Sequence, residues 1–225
     1  MSTTKPSIRA TDIAEYIRYQ SCDRRFKLKF DNYELAKQIP FSELIFATSL
    51  DPVLEEAGRI REREWETLLQ KYDFLDLTQI SKKSSKNQAT EWNEFVKKIE
   101  SLPAGQDAYG REISIEGNLE EFNVRGQIDF IVVLWENNEP KLRLVECKAS
   151  RKDRTYHQAQ VALYRMLVRE IIKENPITIS GVILKSENIE CVVVRIDENT
   201  NKSQDIIQSQ ALNLDTIEAD ISRLI

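Results

Sequence analysis

Apolar residues recur at helical spacing through the N-terminal third of the chain. The pattern predicts a helix from about residue 11 to 20, a second over 26–36 that stops before Pro40, and a third over 51–69. The third has the clearest start, because an aspartate at the N-cap precedes a proline at the first helical position. A fourth helix is predicted over about 91–101. The first part of the chain is therefore expected to be mainly helical.

The spacing changes in the segment Arg111–Ala149, where β-branched and aromatic residues collect into short runs. Turn residues at Gly117-Asn118 and around Asn137-Asn138 separate the runs, so this segment predicts a small antiparallel meander. Further elements are predicted as a long helix over about 153–174, strands over 178–184 and 191–196, and an amphipathic segment from 204 to the end. Together these elements predict an α/β fold in which helices flank a mixed sheet.

The composition indicates a globular chain. With 225 residues, of which 41% are hydrophobic, it can bury a sizeable core without covalent cross-links. Cys22, Cys147 and Cys191 lie far apart and lack any C-x-x-C spacing, so no disulfide framework or closed zinc site is predicted, and a reducing cytoplasmic location fits best. The apolar run over 130–135 is far shorter than the ~20 residues of a membrane span. We expect no membrane segment and no export signal.

Charge and histidine content narrow the possible chemistry. A net charge of −5 argues against non-specific binding of polyanions by the whole surface. The only histidine, His157, excludes metal sites that are built from several histidines. Any metal chemistry must therefore rest on carboxylates.

Two such carboxylates occur in a predicted hairpin over 126–150. If its turn is centred on Asn137-Asn138, facing residues have numbers that sum to 275, which places Asp129 opposite Glu146 with Cβ atoms ~5 Å apart. Like charges in this position are destabilising, and a divalent cation such as Mg²⁺ or Mn²⁺ between the two carboxylates would remove the repulsion. Period-two alternation puts Lys148 on the same face as Glu146.

Two interpretations of the hairpin are open. In one, it is a surface hairpin in which Glu146 pairs with Lys148 or Arg143 while Asp129 is solvated. An E-x-K triplet alone favours this interpretation, because such triplets are common in charged sequences. The register with Asp129 among apolar neighbours favours the other, a site for phosphodiester hydrolysis. There a metal polarises the phosphate and the lysine orients or activates a water molecule.

Several motifs then follow one another in a recognisable order. The motifs are Gly126-x-x-Asp129, Glu146-x-Lys148, Gln160-x-x-x-Tyr164 and, upstream, Gly58-x-x-x-Glu62 and the string Tyr19–Phe26 that contains Cys22. In this order and spacing the chain resembles the PD-(D/E)XK nuclease superfamily. It is most similar to the RecB-like branch, which includes nuclease domains of recombination helicases and CRISPR adaptation exonucleases. The proline that gives the superfamily its name is absent before Asp129.

The resemblance implies a restriction-endonuclease-like core and an activity. It implies one nuclease domain over 1–225, with a helical N-terminal region to residue 50, a core over 51–200 and a C-terminal helix over 201–225. The implied activity is Mg²⁺- or Mn²⁺-dependent hydrolysis of DNA, single-stranded or end-bearing, in repair, recombination or mobile-element defence. A helicase or another repair protein is an implied partner. The alternative is a catalytically inactive nuclease fold that binds DNA or protein in a larger complex.

The resemblance also implies roles for individual residues at the metal. Glu62, Asp129 and Glu146 would be ligands, the backbone carbonyl of Cys147 a further ligand, and Lys148 the group beside the attacking water. The other interpretation of Glu62 is a solvated, salt-bridged helix face of alternating charge, and one turn later Glu66 is a substitute ligand. No iron–sulfur cluster is predicted, because four thiolates are not available within this chain.

The remaining candidates lie after the hairpin. Gln160 and Tyr164 share one helix face. The resemblance implies that Gln160 hydrogen-bonds near the metal site or the nucleic-acid backbone and that Tyr164 positions the nucleic-acid strand by packing or a hydroxyl contact. An ordinary core residue is the other interpretation of the tyrosine. Candidates for phosphate contacts are Arg151, Lys152, Arg154 and His157. A solvated basic surface is the other interpretation of the arginines and the lysine, and a partly exposed polar residue is the other interpretation of His157. Exonuclease or endonuclease action, cleavage polarity and oligomeric state do not follow from the motifs.

Overall fold

The structure is a computed structural model that describes residues 5–30, 38, 52–78, 89–152, 154–197, 199–200 and 202–224. The helices in these ranges are α1 Ala10–Arg18, α2 Asp23–Phe30, α3 Pro52–Lys71, α4 Trp92–Glu100, α5 Thr155–Glu174 and α6 Asp215–Leu224. The strands are β1 Ser7–Arg9, β2 Leu75–Asp76, β3 Thr90–Glu91, β4 Ala108–Leu119, β5 Phe122–Glu136, β6 Glu139–Cys147, β7 Thr178–Ile179, β8 Val182–Ile183 and β9 Ile189–Val194.

Most of the predicted helices are confirmed. Helices α1, α3, α4 and α5 begin and end within three residues of the predicted positions. The predicted second helix is seen only as α2, since most of its range lies outside the described residues, as does the predicted N-cap Asp51. The amphipathic segment after Gln204 becomes a helix only at Asp215.

The sheet is mixed, as predicted. Strands β4, β5 and β6 form the predicted antiparallel meander, and β9 pairs with β6 in parallel. Strand β1 adds in parallel to β5, while β2 and β3 add in parallel to β4. The sequence did not predict these three short strands.

One predicted turn and one predicted strand are wrong. Gly117-Asn118 lies inside β4, and the chain turns instead at Glu120-Glu121. The glycine serves packing, because a Cβ on Gly117 would lie 3.0 Å from the side chain of Leu167 in α5. The strand predicted over 178–184 is a two-stranded hairpin, β7–β8, whose turn residues Ser180 and Gly181 have φ of +50° and +82°.

Strand β5 changes partner along one edge. Strand β4 occupies the other edge of β5, from Phe122 to Val133. On the first edge β1 pairs as far as Arg125, and β6 pairs only from Phe130 onward. The intervening residues 126–129 have no strand partner on that edge among the described residues. A gap therefore opens between β1 and β6.

The sheet is covered on both faces. On one face Leu163 and Leu167 of α5 join a buried cluster with Ile131 of β5 and Leu144 of β6. On the other face Trp65 of α3 belongs to a second buried cluster. Strand residues Phe130, Val132 and Val145 complete this second cluster. Helices α3 and α5 thus lie on opposite faces and approach the gap from two sides.

The chain after β9 is fastened to the second cluster. The indole Nε1 of Trp65 donates to the carbonyl oxygen of Gln204 at 2.8 Å. The buried guanidinium of Arg143 on β6 donates to the carbonyl oxygens of Ile206 and Ile207 at 2.8 and 2.6 Å.

The predicted division of the chain at residues 50 and 200 stays a prediction. No helix in the described ranges is long and apolar enough to cross a membrane.

Candidate active site

The hairpin has the predicted register. All seven pairs from Phe130–Val145 to Glu136–Glu139 have residue numbers that sum to 275. Asp129 and Glu146 lie one step beyond the last of these pairs, where β5 and β6 begin to part. The Oδ2 atom of Asp129 accepts a hydrogen bond from the backbone N–H of Cys147 at 2.7 Å. The two carboxylates are thus held at the inner end of the hairpin, at the gap in the sheet.

Glu146 is a buried carboxylate, and only one of its two oxygen atoms has a partner among the described residues. Its side chain is 3% exposed, and its Oε1 atom pairs with the ammonium of Lys148. Its Oε2 atom is buried and has no hydrogen-bond partner among the described residues. Burial raises the pKa of Glu146, although the charge of Lys148 opposes the rise. A buried carboxylate oxygen without a partner is costly, and this oxygen fits a cation ligand.

The salt-bridge interpretation of the hairpin is partly correct. Glu146 does pair with Lys148, as it proposed. Arg143 does not take part, because its guanidinium binds Glu190 on β9 at 2.8 Å. Asp129 is half-buried and hydrogen-bonded to backbone rather than solvated. A simple surface ion pair therefore does not describe the site.

The two carboxylates perturb each other. Burial, and then the negative charge of Glu146, raise the pKa of Asp129 to about 8. Burial lowers the pKa of Lys148, but the nearby carboxylates outweigh this effect and the net pKa is raised. The lysine therefore stays protonated at neutral pH. Without another cation, the pair of carboxyl groups retains a proton near neutral pH.

Glu62 approaches the pair from α3. Its side chain is half-buried, and burial, followed by the charges of Asp129 and Glu112, raises its pKa to about 7. It forms no ion pair within the described part of the chain. Glu112, which the sequence analysis missed, lies on β4 with φ of +51° and also raises the pKa of Asp129.

The salt-bridged helix face exists, but it excludes Glu62. Arg61 pairs with Glu64 at 2.7 Å, one turn along the exposed side of α3. Glu66, the substitute ligand, pairs with Arg111 of β4 at 2.6 Å. The other two glutamates, Glu64 and Glu66, thus pair with arginines. Glu62 has no such ion pair among the described residues, and the charge of Asp129 at the gap contributes to its raised pKa.

The complete set of predicted ligands is not assembled. Among the described residues, no group of three or more His, Cys, Asp or Glu side chains is placed to hold a metal ion. Asp129 and Glu146 are the two that the structure brings together, so the four-ligand set with Glu62 and Cys147 stays a prediction. The Cys147 side chain belongs to the second buried cluster, and burial raises the pKa of its thiol well above the usual value. Only its backbone carbonyl is then suited to a hard cation.

Gln160 and Tyr164 form a brace between α5 and β5. The Nε2 atom of Gln160 donates to the Tyr164 hydroxyl at 3.3 Å, and this hydroxyl donates to the carbonyl oxygen of Gln127 at 2.8 Å. Gln127 lies in the gap, where no strand in the described ranges pairs with that edge of β5. A Cβ on Gly126 would lie 2.5 Å from the Tyr164 ring, so a glycine is required for the contact. The G-x-x-D and Q-x-x-x-Y motifs are therefore in direct contact.

A cleft of about 620 Å³ opens over the gap. It is lined by Arg9, Thr11, Glu91, Ser114, Ile115, Glu116, Arg125, Gly126, Gln127, Asp129, Glu146, Lys148, Gln160 and Tyr164. Arg9 and Arg125 line the cleft but are not among the site residues predicted from the sequence. A signal for Arg125 was present, since it lies two positions before Gln127 and four before Asp129 on a strand of period two.

The predicted phosphate-binding residues lie beyond the lining of the cleft. Arg151, Lys152 and Arg154 are exposed in the connection between β6 and α5. His157 is 6% exposed and its ring packs edge-on against Tyr156, with centroids 4.4 Å apart. Little of the imidazole is thus accessible to a ligand. The role of these four residues in binding DNA stays a prediction.

Comparison with known proteins identifies the family. The family model of the PD-(D/E)XK nuclease superfamily matches residues 14–225, and the chain belongs to this superfamily. No curated protein matches. Among solved structures, the crystal structure of SSO0001 matches with 16% identity, a TM-score of 0.39, and coverage of 100% of this chain and 78% of that one. Membership suggests a nuclease, and the resemblance seen in the sequence is confirmed at the level of the superfamily.

Proposed function

We propose that this protein is a Mg²⁺- or Mn²⁺-dependent nuclease that hydrolyses single-stranded or end-bearing DNA in repair, recombination or mobile-element defence. It belongs to the RecB-like branch, contains no iron–sulfur cluster, and acts in the cytoplasm beside a helicase or another repair or defence protein. Membership of the superfamily supports nuclease activity in general. The three free cysteines support a reducing compartment.

The observation that carries the proposal is the unpartnered oxygen of Glu146. A buried Oε2 atom with no hydrogen-bond partner lies next to a second carboxyl group whose pKa is about 8. A divalent cation held by Asp129 and Glu146 would satisfy this oxygen and remove the repulsion between the two groups. Glu62 and the carbonyl of Cys147 would complete the ligand set. This arrangement fits hard oxygen ligands and has no use in a protein that only binds DNA.

The other residues act around the scissile phosphate. A bound cation would supply Lewis acidity and a water molecule of lowered pKa. Lys148, whose ammonium pairs with Glu146, would orient a water molecule beside the phosphate and offset the negative charge that develops there. Gln160 and Tyr164 hold β5 in place just before Asp129. The exposed side chains of Arg151, Lys152 and Arg154 contact the DNA backbone, whereas the buried His157 does not.

Metal removal tests the proposal directly. Labelled single-stranded DNA is expected to be cleaved in Mn²⁺ or Mg²⁺ and to stay intact in EDTA, with cleavage restored by excess metal. Blunt duplex of the same sequence is expected to react only from its ends. If single strands stay intact in both metals but bind to the protein, the inactive DNA-binding subunit is the correct interpretation.

Metal affinity is expected to rise with pH. In the metal-free protein the pKa is about 8 for Asp129 and about 7 for Glu62, and only the ionised carboxylates bind a cation. Below pH 7 the apparent Mn²⁺ affinity thus falls by up to about tenfold per pH unit for each proton displaced. Titration calorimetry in buffers of different ionisation enthalpy measures the released protons. A constant affinity from pH 6 to 8.5 would show that the carboxylates are already ionised.

The raised pKa of Asp129 also predicts how the stability of the metal-free protein changes with pH. A carboxyl group whose pKa is raised on folding stabilises the folded state below its unfolded pKa of about 4, and this contribution is lost as the pH rises through about 8. The metal-free protein is therefore expected to unfold at lower urea concentration at pH 9 than at pH 6. Asp129→Asn removes most of this difference.

Two glutamates on α3 provide a matched test of the third ligand. Glu62→Gln is expected to lower kcat/KM by about 10–100-fold, since one ligand charge near the pair is lost. Glu66→Gln, one turn later, removes only the ion pair with Arg111 and is expected to change kcat/KM by less than about threefold. Cleavage rates at saturating Mn²⁺ measure both effects. A larger loss in Glu66→Gln would make Glu66 the ligand instead.

A further inference from the structure

A polar stripe runs along β5 into the candidate metal site. Arg125, Gln127 and Asp129 occupy every second position, and each of them lines the cleft. Val124 and Ile128, which alternate with them, are buried in the first core cluster. The stripe therefore leads from the carboxylates along the floor of the cleft, on the face of β5 that is turned away from this core.

A second arginine lies beside the start of the stripe. Arg9 on β1 is the register partner of Arg125 on β5, so neighbouring strands place two arginines side by side. Both side chains are exposed and line the cleft, and neither forms an ion pair among the described residues. Glu116 faces Arg125 from β4 in the register, but the two side chains form no ion pair in the described part of the chain. Two adjacent like charges repel each other, and an anion between them would reverse the effect.

The position of the pair indicates which anion fits. Arg125 lies four residues from Asp129, about 13 Å along an extended strand at 3.2–3.4 Å per residue. This is too far for contact with the phosphate at the metal, but it is within reach of a later phosphate on the same strand of nucleic acid. Guanidinium groups bind phosphate through two parallel hydrogen bonds, which favours arginine over lysine at such a position.

We propose that Arg9 and Arg125 bind a backbone phosphate of the substrate strand beyond the scissile phosphate, so that this strand lies along β5. The proposal rests on the proposed nuclease function and deepens it. It adds a binding subsite on the β1 side of the cleft, away from the basic connection that follows β6. Without this subsite the acidic residues of the cleft, among them Glu91 and Glu116, would leave the strand without attraction on that side.

The test compares two double variants that remove the same charge. In Arg9→Ala/Arg125→Ala, the Kd for a fluorescein-labelled single strand, measured by anisotropy in EDTA so that the strand stays intact, is expected to rise at least tenfold. The magnitude of the slope of log affinity against log salt is expected to fall by about 0.7, since the two arginines share one phosphate contact on the single strand. KM is expected to rise by a similar factor while kcat stays within about threefold.

The control is Lys173→Ala/Arg223→Ala, whose side chains are 73% and 78% exposed on other helices and do not line the cleft. Its affinity, salt slope and KM are expected to match the wild type. Arg9→Lys/Arg125→Lys is expected to recover the salt slope but only part of the affinity. Equal losses in both alanine variants, or none in either, would overturn the subsite. Failure of the wild type itself to bind and cleave DNA would instead refute the nuclease function.

Discussion

Glu146→Gln is expected to lower kcat/KM for single-stranded DNA by about 10³-fold or more. The change keeps the shape of the side chain but removes the charge from the buried oxygen that lacks a partner. A catalytic metal supplies several kcal/mol of transition-state stabilisation, and each 1.36 kcal/mol corresponds to a factor of ten in rate. Initial cleavage rates in Mn²⁺ measure the loss. Thermal unfolding tests whether this loss comes from lost metal binding, because Mn²⁺ is expected to raise the melting temperature of the wild type and not of the variant.

The hairpin supplies its own control for this variant. Glu136, near the exposed tip of the same hairpin, also pairs with a lysine, Lys141. Its side chain is 58% exposed, so Glu136→Gln removes the same charge from the same hairpin without touching the gap. It is expected to retain wild-type activity and the thermal shift with Mn²⁺. If Glu146→Gln kept more than a tenth of the activity, Glu146 could not be a ligand of the catalytic metal.

Lys148→Ala is expected to lower kcat by about 10²–10³-fold, the usual loss for one group that stabilises developing charge. Its effect on metal binding is expected to be opposite to that of Glu146→Gln. Removal of the ammonium takes a positive charge away from both carboxylates, so Mn²⁺ binding is retained or tightened. Single-turnover cleavage and calorimetry separate the two effects.

Lys141→Ala is the matched control, since it removes the lysine of the exposed pair on the same strand. It is expected to leave kcat and metal affinity unchanged. Equal cleavage by Lys148→Ala and wild type would exclude Lys148 from the reaction. Loss of Mn²⁺ binding in Lys148→Ala would assign the lysine to the folding of the site, and the alternative of a structural ion pair would gain support.

The sequence predicted the features that depend on local rules. The turn at Asn137-Asn138 sets the register of β5 and β6, so the closeness of Asp129 and Glu146 followed from counting residues. The positions of Gln160 and Tyr164 on one helix face followed from helical periodicity. In both cases one short segment contains all the information that the prediction needs.

Features that join distant segments could not be predicted in this way. Strand β1 has three residues, too few for a periodic pattern, and it pairs with β5 more than 110 residues later. The gap between β1 and β6, and with it the cleft, exists only through that pairing. The same holds for the contact of Tyr164 with Gly126 and for the pKa of Glu62, which depends on a packing of α3 that no single segment specifies.

The contacts of the Arg143 guanidinium make the folding of β6 depend on residues that are synthesised later. Arg143 lies three residues before Glu146 on β6, and its partners are the carbonyl oxygens of Ile206 and Ile207 and the carboxylate of Glu190. Strand β6 also needs β9 along its outer edge. A nascent chain that has not yet emerged past these residues cannot set the strand of Glu146 in place. The candidate site can therefore be completed only after residues 189–207 have left the ribosome.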